Sequence, residues 1–170
     1  AFDRETGLFY IPSITSPNVI KLVPAQDSDM KYTVGRMGRI NGPSRLPITR
    51  PPYARISAVN LNTGDYVWVK PNGNGPRQAV IDLGLPDPGP LGSPGLSGPL
   101  LTRSLLFIGG RDDKPVLRAI DKQTGEVVRE VPLPENPSGT PMTYMAQGKQ
   151  YIVIAGGSRT EQMLMALSLP

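Results

Sequence analysis

The segment that decides the fold is AVNLNTGDYVW, from Ala58 to Trp68. A short apolar run ends in Asn60, a Thr-Gly pair follows, and a lone Trp completes the segment. Glycine adopts positive φ without steric cost, and an Asn side chain accepts hydrogen bonds from turn N–H groups. The segment therefore predicts a β-hairpin. Trp68 would lie on its outgoing strand, wedged against a neighbouring sheet, with its indole N–H bound to a carbonyl.

The same pattern recurs as AIDKQTGEVVR, from Ala119 to Arg129, with Arg129 at the position of Trp68. The chain contains three similar apolar segments, which are LFYIPS (8–13), LLFIGG (105–110) and YIVIAGG (151–157). A degraded third copy of the hairpin motif follows the last of them as LMALSLP. The last two strands lie about 45 residues apart, which is a spacing typical of propeller blades. Radial stacking of such units would bury sheet faces that one sheet cannot bury alone.

The composition excludes several kinds of site. The 170 residues contain no Cys and no His, so this chain holds no disulfide, no thiol nucleophile and no Ser-His-Asp triad. The net charge is +4. Several arginines (Arg36, Arg39, Arg45, Arg50 and Arg55) follow one another in a Gly/Pro-rich segment with few aromatic residues between them. That pattern predicts a solvated loop rather than a nucleic-acid groove, so we expect no nucleic-acid partner. No run of 18 apolar residues is present to span a membrane.

The apolar runs are short and are bounded by Gly, Pro, Asn or Asp, which predicts an all-β protein. Only the run at 163–169 has helical propensity, and it is too short to be assigned a helix. We predict two to three four-stranded antiparallel blades forming part of a β-propeller. Their strands are expected near 8–23, 55–69, 98–131 and 140–169, and long insertions are expected at 35–53 and 71–99.

The acidic residues form no spaced set that would indicate catalysis. Asn60 and Asp121 are expected to cap turns, and Asp112 and Asp113 to lie solvated in an exposed turn. Trp68 is interpreted as a packing residue. Arg129 at the equivalent position indicates that its sheet docks differently or that the side chain faces solvent.

The hairpin motif resembles the AxDxxTGxxxW blade motif of the eight-bladed quinoprotein dehydrogenases, which use pyrroloquinoline quinone (PQQ). Non-enzymatic propellers carry that motif as well. The segment GTPMTYMAQGKQYIVIAGG (139–157) resembles the dehydrogenases themselves, and SGPLLTRSLLFIGG (97–110) looks like their segment entering the same blade. PYARISAVNLNTGDYVW and TGLFYIPS resemble the glucose- and quinate-type members. The likeness covers nearly the whole chain and places it at the C-terminal end of a much longer protein.

The resemblance implies a periplasmic enzyme in which PQQ lies flat at the propeller axis with calcium on a quinone carbonyl. An Asp takes a proton from a sugar or alcohol, hydride passes to the quinone, and electrons leave to a quinone or cytochrome acceptor. The family's base and calcium ligands come from earlier blades, so no catalytic or metal-binding residue is assigned here. The resemblance does imply late contacts to PQQ at Ser97 and Gly98 and at Gly157 and Ser158. The Trp that many relatives carry in the second segment is missing.

Two other interpretations stay open at the level of sequence. One is a non-catalytic propeller that serves as a scaffold for protein–protein interaction. The other is a small independent β domain that retains the repeat. The enzyme interpretation requires the remainder of the propeller as a partner, and it leaves membrane association open. Because open sheet edges would invite pairing, we expect the isolated chain to bind PQQ poorly.

Overall fold

The structure is a computed structural model that describes residues 1–158 and 160–168, the side chain of Leu96 excepted. The described chain forms three four-stranded sheets and a separate two-stranded hairpin. Sheet I contains β1 (Phe2–Asp3), β2 (Leu8–Ile14), β5 (Ala54–Asn60) and β6 (Tyr66–Pro71). Sheet II contains β8 (Leu100–Leu101), β9 (Leu105–Arg111), β10 (Pro115–Asp121) and β11 (Val127–Pro132). Sheet III contains β7 (Leu96–Ser97), β12 (Pro137–Ala146), β13 (Lys149–Gly157) and β14 (Gln162–Ser168).

The hairpin consists of β3 (Asn18–Pro24) and β4 (Tyr32–Arg39), and a 3-10 turn follows at Pro43–Arg45. The described helix is α1 (Arg77–Asp82). The prediction of an all-β chain built from four-stranded sheets is confirmed. Neighbouring strands run antiparallel except at one place, where β7 pairs in parallel with β12.

The three sheets repeat one register. Each hairpin motif pairs with one of the three similar strand segments LFYIPS, LLFIGG and YIVIAGG. The alanine of the motif lies opposite the third residue of that segment, in the pairs Ala58–Tyr10, Ala119–Phe107 and Ala166–Val153. Two residues further on, Asn60, Asp121 and Ser168 occupy equivalent positions opposite Leu8, Leu105 and Tyr151. The segment LMALSLP is therefore a third copy of the motif in β14, as its sequence suggests, although its last two residues lie outside the described part.

The predicted turn chemistry is present at both complete copies of the motif. Asp121 Oδ1 accepts hydrogen bonds from the N–H groups of Gln123 (2.8 Å) and Thr124 (2.9 Å), and the bond from Thr124 contributes most to lowering the pKa of Asp121. The glycines that follow, Gly64 and Gly125, have φ of 81° and 73°. Both residues therefore use the backbone region that glycine enters most easily.

Trp68 joins sheet I to sheet II. Its Nε1 donates a hydrogen bond to the carbonyl of Lys122 at 3.1 Å, and its ring lies against Gly125. A Cβ on Gly125 would be 2.7 Å from the indole atoms Cδ2 and Cε3, which is too close for any side chain. Tyr10 lies beside Trp68, with ring centroids 5.9 Å apart, and its hydroxyl donates to the same carbonyl at 3.1 Å. The prediction that Trp68 is a wedge between sheets is confirmed.

The apolar core has two parts, one on each side of sheet II. The first lies between sheets I and II and contains Tyr10, Ile56, Ala58, Trp68, Leu106, Ile108 and Ile120. The second lies between sheets II and III and contains Leu117, Leu133, Ile154 and Met165. No Trp contributes to the second part, because Arg129 takes the position of Trp68 opposite the motif alanine. Arg129 is exposed. The residues after Ser168, which correspond in sequence to those that Trp68 covers after Asp121, lie outside the described part of the chain.

A buried ion pair reinforces the contact between sheets I and II. Lys122 Nζ lies 2.6 Å from Asp3 Oδ2, and both side chains are buried. The hydroxyl of Thr6 (2.8 Å) and the N–H of Glu5 (3.1 Å) also donate to this carboxylate. The hydrogen bond from Lys122 is the main cause that lowers the pKa of Asp3 below its ordinary value. Burial, followed by the negative charge of Asp3, raises the pKa of Tyr10 to about 12.

The prediction that strands 8–23 belong to one blade is wrong in part. Residues 18–24 pair with residues 32–39 in the separate hairpin and join none of the three sheets. The expected insertion at 35–53 therefore begins inside a strand. A period of two in hydrophobicity predicts a strand but does not identify the strand with which it pairs. The second insertion, 71–99, includes helix α1 and strand β7, neither of which was predicted there.

The expectation that Asp112 is solvated is also wrong. Its carboxylate forms an ion pair with the buried guanidinium of Arg118 and accepts hydrogen bonds from the Asn74 N–H (2.9 Å) and the Ser93 hydroxyl. Arg118 Nε lies 2.6 Å from Glu130 Oε1. These contacts attach the second insertion to sheet II. Sequence could not reveal them, because Asp112 and its partners lie in different elements.

The contact between Trp68 and Gly125 gives a testable prediction. Replacing Gly125 with Ala should destabilise the protein by about 2–4 kcal/mol, because the positive φ disfavours a Cβ and the added methyl overpacks the indole. The matched control is Gly148→Ala, since Gly148 has φ of 76° but open space around it. Denaturant unfolding of the two variants should separate the packing term from the backbone term. Equal losses for both would contradict this account of the Trp68 wedge.

The pair of Asp3 and Lys122 predicts a pH dependence. Because the pKa of Asp3 is lowered on folding, its contribution to stability is present at neutral pH and disappears as pH falls below about 4. The free energy of unfolding of the parent protein should therefore fall more steeply below pH 4 than that of Asp3→Asn. Denaturant midpoints between pH 7 and pH 2.5 measure this, with the exposed Asp65→Asn as control. Parallel curves for parent and Asp3→Asn would exclude the coupling.

Candidate functional site

Two Ser-Gly segments lie side by side at one end of sheet III. Strand β7 carries Ser97 and runs parallel to the start of β12, where Gly139 is paired with Ser97. The N–H of Gly98 donates a hydrogen bond to the carbonyl of Gly139 at 3.2 Å. The parallel pairing thus places the predicted Ser97-Gly98 segment against the Ser138-Gly139 segment.

The second predicted segment lies on the other side of the same strand. Ser138 pairs with Ala155 in β13, and the N–H of Gly157 donates to the carbonyl of Asn136 at 3.0 Å. The structure therefore brings all four predicted residues to one end of sheet III. Their two segments are separated by the single strand β12, a distance of about 10 Å across two strand spacings. We call residues 97–98, 138–139 and 157–158 the Ser-Gly edge.

The hydroxyl groups of the two predicted serines already serve the fold. Ser97 is buried, and its Oγ accepts a hydrogen bond from the Gly109 N–H (2.9 Å) and donates to the Gly98 carbonyl (3.2 Å). Ser158 closes a turn, because its N–H donates to the Glu161 carbonyl (2.7 Å) and its Oγ accepts from the Glu161 N–H (3.0 Å). Both hydroxyls thus make hydrogen bonds within the chain. The Ser-Gly edge therefore offers a molecule mainly backbone surface.

Sequence reasoning missed the central segment of this edge. Gly139 has φ of 73°, and a Cβ built on it would meet no atom within 4 Å. Gly98 is different, because a Cβ there would collide with the hydroxyl of Thr140. The signal was present in the sequence as the near-repeat LSGP at 96–99 and PSGTP at 137–141. Only the parallel pairing shows that these two copies are neighbours.

A shallow groove of about 350 Å³ opens beside Ser138, Gly157 and Ser158. Its other lining residues are Ala155, Gly156, Gln162, Met163 and Leu164, so the lining carries no charged side chain. The lining combines polar uncharged residues (Ser138, Ser158 and Gln162) with small or apolar ones, so a flat ring could approach it closely without a charge to satisfy. Any carboxylates on such a ligand would need partners from elsewhere in the protein.

The described residues do not fit a metal site. Within 1–158 and 160–168, no group of three or more His, Cys, Asp or Glu could hold a metal ion. Hard cations such as calcium require several oxygen ligands, usually with carboxylates among them. In addition, no helix of the described chain is long and apolar enough to span a membrane.

The role of Ser97 as the acceptor for the buried Gly109 N–H is testable. Ser97→Ala should lower the free energy of unfolding by about 1–3 kcal/mol, because the buried Gly109 N–H loses its acceptor. Ser158→Ala is the matched control and should cost less than about 1 kcal/mol, because the N–H groups that it frees are exposed to water. Urea unfolding and amide exchange at Gly109 measure the effect. Faster exchange at Gly109 in both variants, or in neither, would refute the assignment.

Comparisons with known proteins agree on one family. Residues 1–152 match the family described as glucose/ethanol/alcohol dehydrogenase, beta-propeller domain, of the PQQ type. The chain is 38% identical over 133 residues to a probable quinate dehydrogenase (quinone) of Xanthomonas campestris pv. juglandis, which covers 74% of this chain and 17% of that protein. It is 38% identical over 116 residues to the quinoprotein glucose dehydrogenase of Escherichia coli, covering 68% of this chain and 14% of that protein.

Among solved structures, a europium-containing methanol dehydrogenase superposes with a TM-score of 0.65 at 24% identity, over 92% of this chain and 24% of that one. A quinohemoprotein alcohol dehydrogenase from Comamonas testosteroni superposes with a TM-score of 0.59 at 22% identity, over 92% of this chain and 21% of that one. These two likenesses confirm the predicted β-propeller fold. The chain spans only 17% and 14% of the lengths of the two curated relatives above, and so corresponds to a piece of proteins of that size. On the family match and these identities, the chain belongs to the PQQ-dependent quinoprotein dehydrogenase propellers.

Proposed function

We propose that this chain is the C-terminal part of the propeller of a PQQ-dependent dehydrogenase. The enzyme would oxidise a CH–OH group of a sugar or alcohol and pass the electrons to a quinone or cytochrome acceptor. The family match over residues 1–152 is the observation that carries the proposal. Relatives named for quinate, glycerol and glucose support a polyhydroxy substrate, and the word quinone in the first of these names supports a quinone as acceptor. A periplasmic location is proposed from the family resemblance.

One uncovered turn glycine and two uncovered sheet faces support the remainder of the propeller as a partner of this chain. Gly64 corresponds to Gly125, yet a Cβ on Gly64 would meet no atom within 4 Å, whereas Gly125 is covered by Trp68. A Trp from a preceding blade would fill that space. The outer faces of sheets I and III expose apolar side chains such as Val69 and Met142. Adjacent blades would bury these outer faces, just as sheet II buries the faces of sheets I and III that are turned toward it.

We further propose that the Ser-Gly edge contacts the flat face of PQQ. PQQ, when bound, supplies the centre that accepts hydride. The contribution of this chain is a rigid surface of Gly98, Gly139 and Gly157, held in place by Ser97 and Ser158, which excludes water from one side of the ring. Calcium, or another hard cation, would be bound by residues outside the described chain. One structural neighbour is named for europium, so the identity of the ion forms part of the test.

The scaffold alternative receives less support. The curated relatives that match this chain at 38–40% identity are named as dehydrogenases. A domain that folds independently is also less well supported, since both outer sheet faces leave large apolar side chains in water. We therefore expect tight PQQ binding only from the full-length protein.

The proposal is tested by reconstituting the full-length protein with PQQ and either calcium or a lanthanide. Reduction of an artificial electron acceptor should then depend on glucose, glycerol, quinate or a simple alcohol, and should require both PQQ and one of the ions. Failure to bind PQQ in calorimetric titration, with any ion, would overturn the assignment as an enzyme.

A variant separates the Ser-Gly edge from the rest of the site. Gly139→Val should weaken PQQ binding about tenfold or more, because a branched side chain would occupy the open surface against which the ring would lie. Gly148→Val is the control, since Gly148 shares the positive φ and the open surroundings but lies in a distant turn. Equal PQQ affinity in the two variants would remove the Ser-Gly edge from the cofactor site while leaving the enzyme assignment intact.

A further inference from the structure

A buried arginine on β10 joins three separate elements of the chain. The side chain of Arg118 is 2% exposed. Its guanidinium donates hydrogen bonds to the carboxylates of Asp112 and Glu130 and, at 3.2 Å, to the side-chain oxygen of Asn72. A side chain on Gly110 would collide with this guanidinium. Because a buried charge is stable only with partners in good geometry, the group ties together the turn after β9, strand β11 and the end of β6.

Asp112 extends this cluster to the chain that follows helix α1. Its carboxylate accepts hydrogen bonds from the Ser93 hydroxyl and from the Asn74 N–H (2.9 Å). The Oγ of Ser93 in turn accepts a hydrogen bond from the Gly75 N–H at 2.7 Å. Ser93 is buried, so water competes little for these bonds. Ser93 is therefore tied to Arg118 through one shared carboxylate.

Backbone contacts hold the neighbours of Ser93 against sheet I. The N–H of Gly92 donates to the carbonyl of Gly73 at 2.8 Å, and the N–H of Tyr53 donates to the carbonyl of Leu91 at 2.7 Å. A side chain on Gly92 would collide with the backbone of Ala54, the first residue of β5. This part of the second insertion is thus fixed to sheet I by its backbone and to sheet II by the Arg118 cluster.

The same stretch of chain ends in the Ser-Gly edge. Ser97 accepts a hydrogen bond from the Gly109 N–H of β9, and the Gly98 N–H donates to the Gly139 carbonyl of β12. Only three residues separate Ser93 from Ser97, and the first of them is a proline, whose φ is fixed. Few backbone dihedrals can therefore absorb a displacement of Ser93 before it reaches Ser97 and Gly98.

The two ends of this stretch lie on opposite sides of sheet II. Gly110 of β9 faces Arg118, whereas the adjacent Gly109 faces Pro137 and Ile154 of sheet III. We call residues 91–98 the crossing segment, because it begins against sheet I and ends paired with sheet III.

We propose that Arg118 is a positioning residue for the Ser-Gly edge. Through Asp112 and Ser93 it fixes the start of the crossing segment, and it thereby holds Gly98 beside Gly139, where the flat face of PQQ would lie. This inference rests on the proposed function. A binding surface is precise only when the groups behind it are themselves held by packing and hydrogen bonds. Arg118 is buried, so it acts on the cofactor surface through the crossing segment.

The link to the crossing segment is tested in the full-length protein without PQQ. Ser93→Ala removes the hydroxyl that connects this segment to Asp112. Hydrogen exchange, measured by mass spectrometry, should become about tenfold faster in peptides covering residues 95–110. Thr6→Ala is the matched control, because its hydroxyl donates to the carboxylate of the other buried ion pair, at Asp3. It should leave exchange of the same peptides within about twofold of the parent.

Calorimetric titration with PQQ, at one fixed ion, tests the consequence for the cofactor. Ser93→Ala should weaken PQQ binding about fivefold, and Thr6→Ala less than about twofold. Arg118→Lys should act in the same direction as Ser93→Ala and more strongly, because one ammonium group does not reproduce the guanidinium fork. Glu130→Gln removes a partner of Arg118 on β11, away from the crossing segment, and should have little effect. If Arg118→Lys does not fold, the variants of Ser93 and Thr6 decide.

Two results would overturn the positioning role. One is unchanged hydrogen exchange in Ser93→Ala, and the other is faster exchange with unchanged PQQ affinity. Either result leaves the proposed function standing, because PQQ binding by the parent protein and the effect of Gly139→Val are measured separately. Absence of PQQ binding by the parent protein would instead overturn both.

Discussion

Lys122, the first residue after β10, is the polar centre of the contact between sheets I and II. Its carbonyl accepts hydrogen bonds from the indole of Trp68 and the hydroxyl of Tyr10, and its ammonium group pairs with Asp3. All three partners belong to sheet I, and all are buried. Paired charges in the interior are stable only where geometry and further hydrogen bonds offset the loss of water. Here Thr6 and the backbone of Glu5 supply those bonds to Asp3. The two sheets are thus fixed in one relative orientation.

This orientation explains why the motif combines such different residues. Ala58 leaves room beside Trp68, the turn places Gly125 of the next sheet under the indole, and the residue after Asp121 provides the accepting carbonyl. One sheet thus supplies the Trp, and the next sheet supplies the turn glycine and the carbonyl that the Trp contacts. In sheet II the position of the Trp on β11 is taken by Arg129, whose side chain is exposed. The interface with sheet III therefore depends on the buried Leu117, Leu133, Ile154 and Met165, against which the partly buried Phe107, Val131, Ile152 and Leu167 pack.

The features that sequence could predict are those set by neighbouring residues. Turn glycines, turn-capping side chains and the packing role of Trp68 follow from local chemistry, and the structure confirms them. The features that were missed depend on partners distant in the chain. Residues 18–24 read correctly as a strand, but nothing local shows that they pair outside the blades. Asp112 looks like a solvated turn carboxylate because its partner Arg118 lies on β10 and its donor Ser93 in an insertion. The candidate site divides in the same way. Its two outer segments were predicted from resemblance and stay a prediction, whereas the central Ser138-Gly139 segment joins them only through the parallel pairing with β7.

That parallel pairing also bears on how the protein folds and varies. Strand β7 precedes all of sheet II in the chain, yet it completes the edge of sheet III, so the polypeptide of sheet II is a closed loop between two paired strands. Sheet III cannot reach its final strand order until a segment some forty residues earlier has arrived, a long-range contact of the kind that slows folding. The residues that form sheet III therefore do not make one continuous stretch of the chain. A deletion of sheet II that begins at β8 would keep β7 for sheet III, whereas one that begins before Leu96 would remove the edge strand of sheet III. A duplication has the opposite requirement, because only a copy that begins before Leu96 carries a second β7 with it.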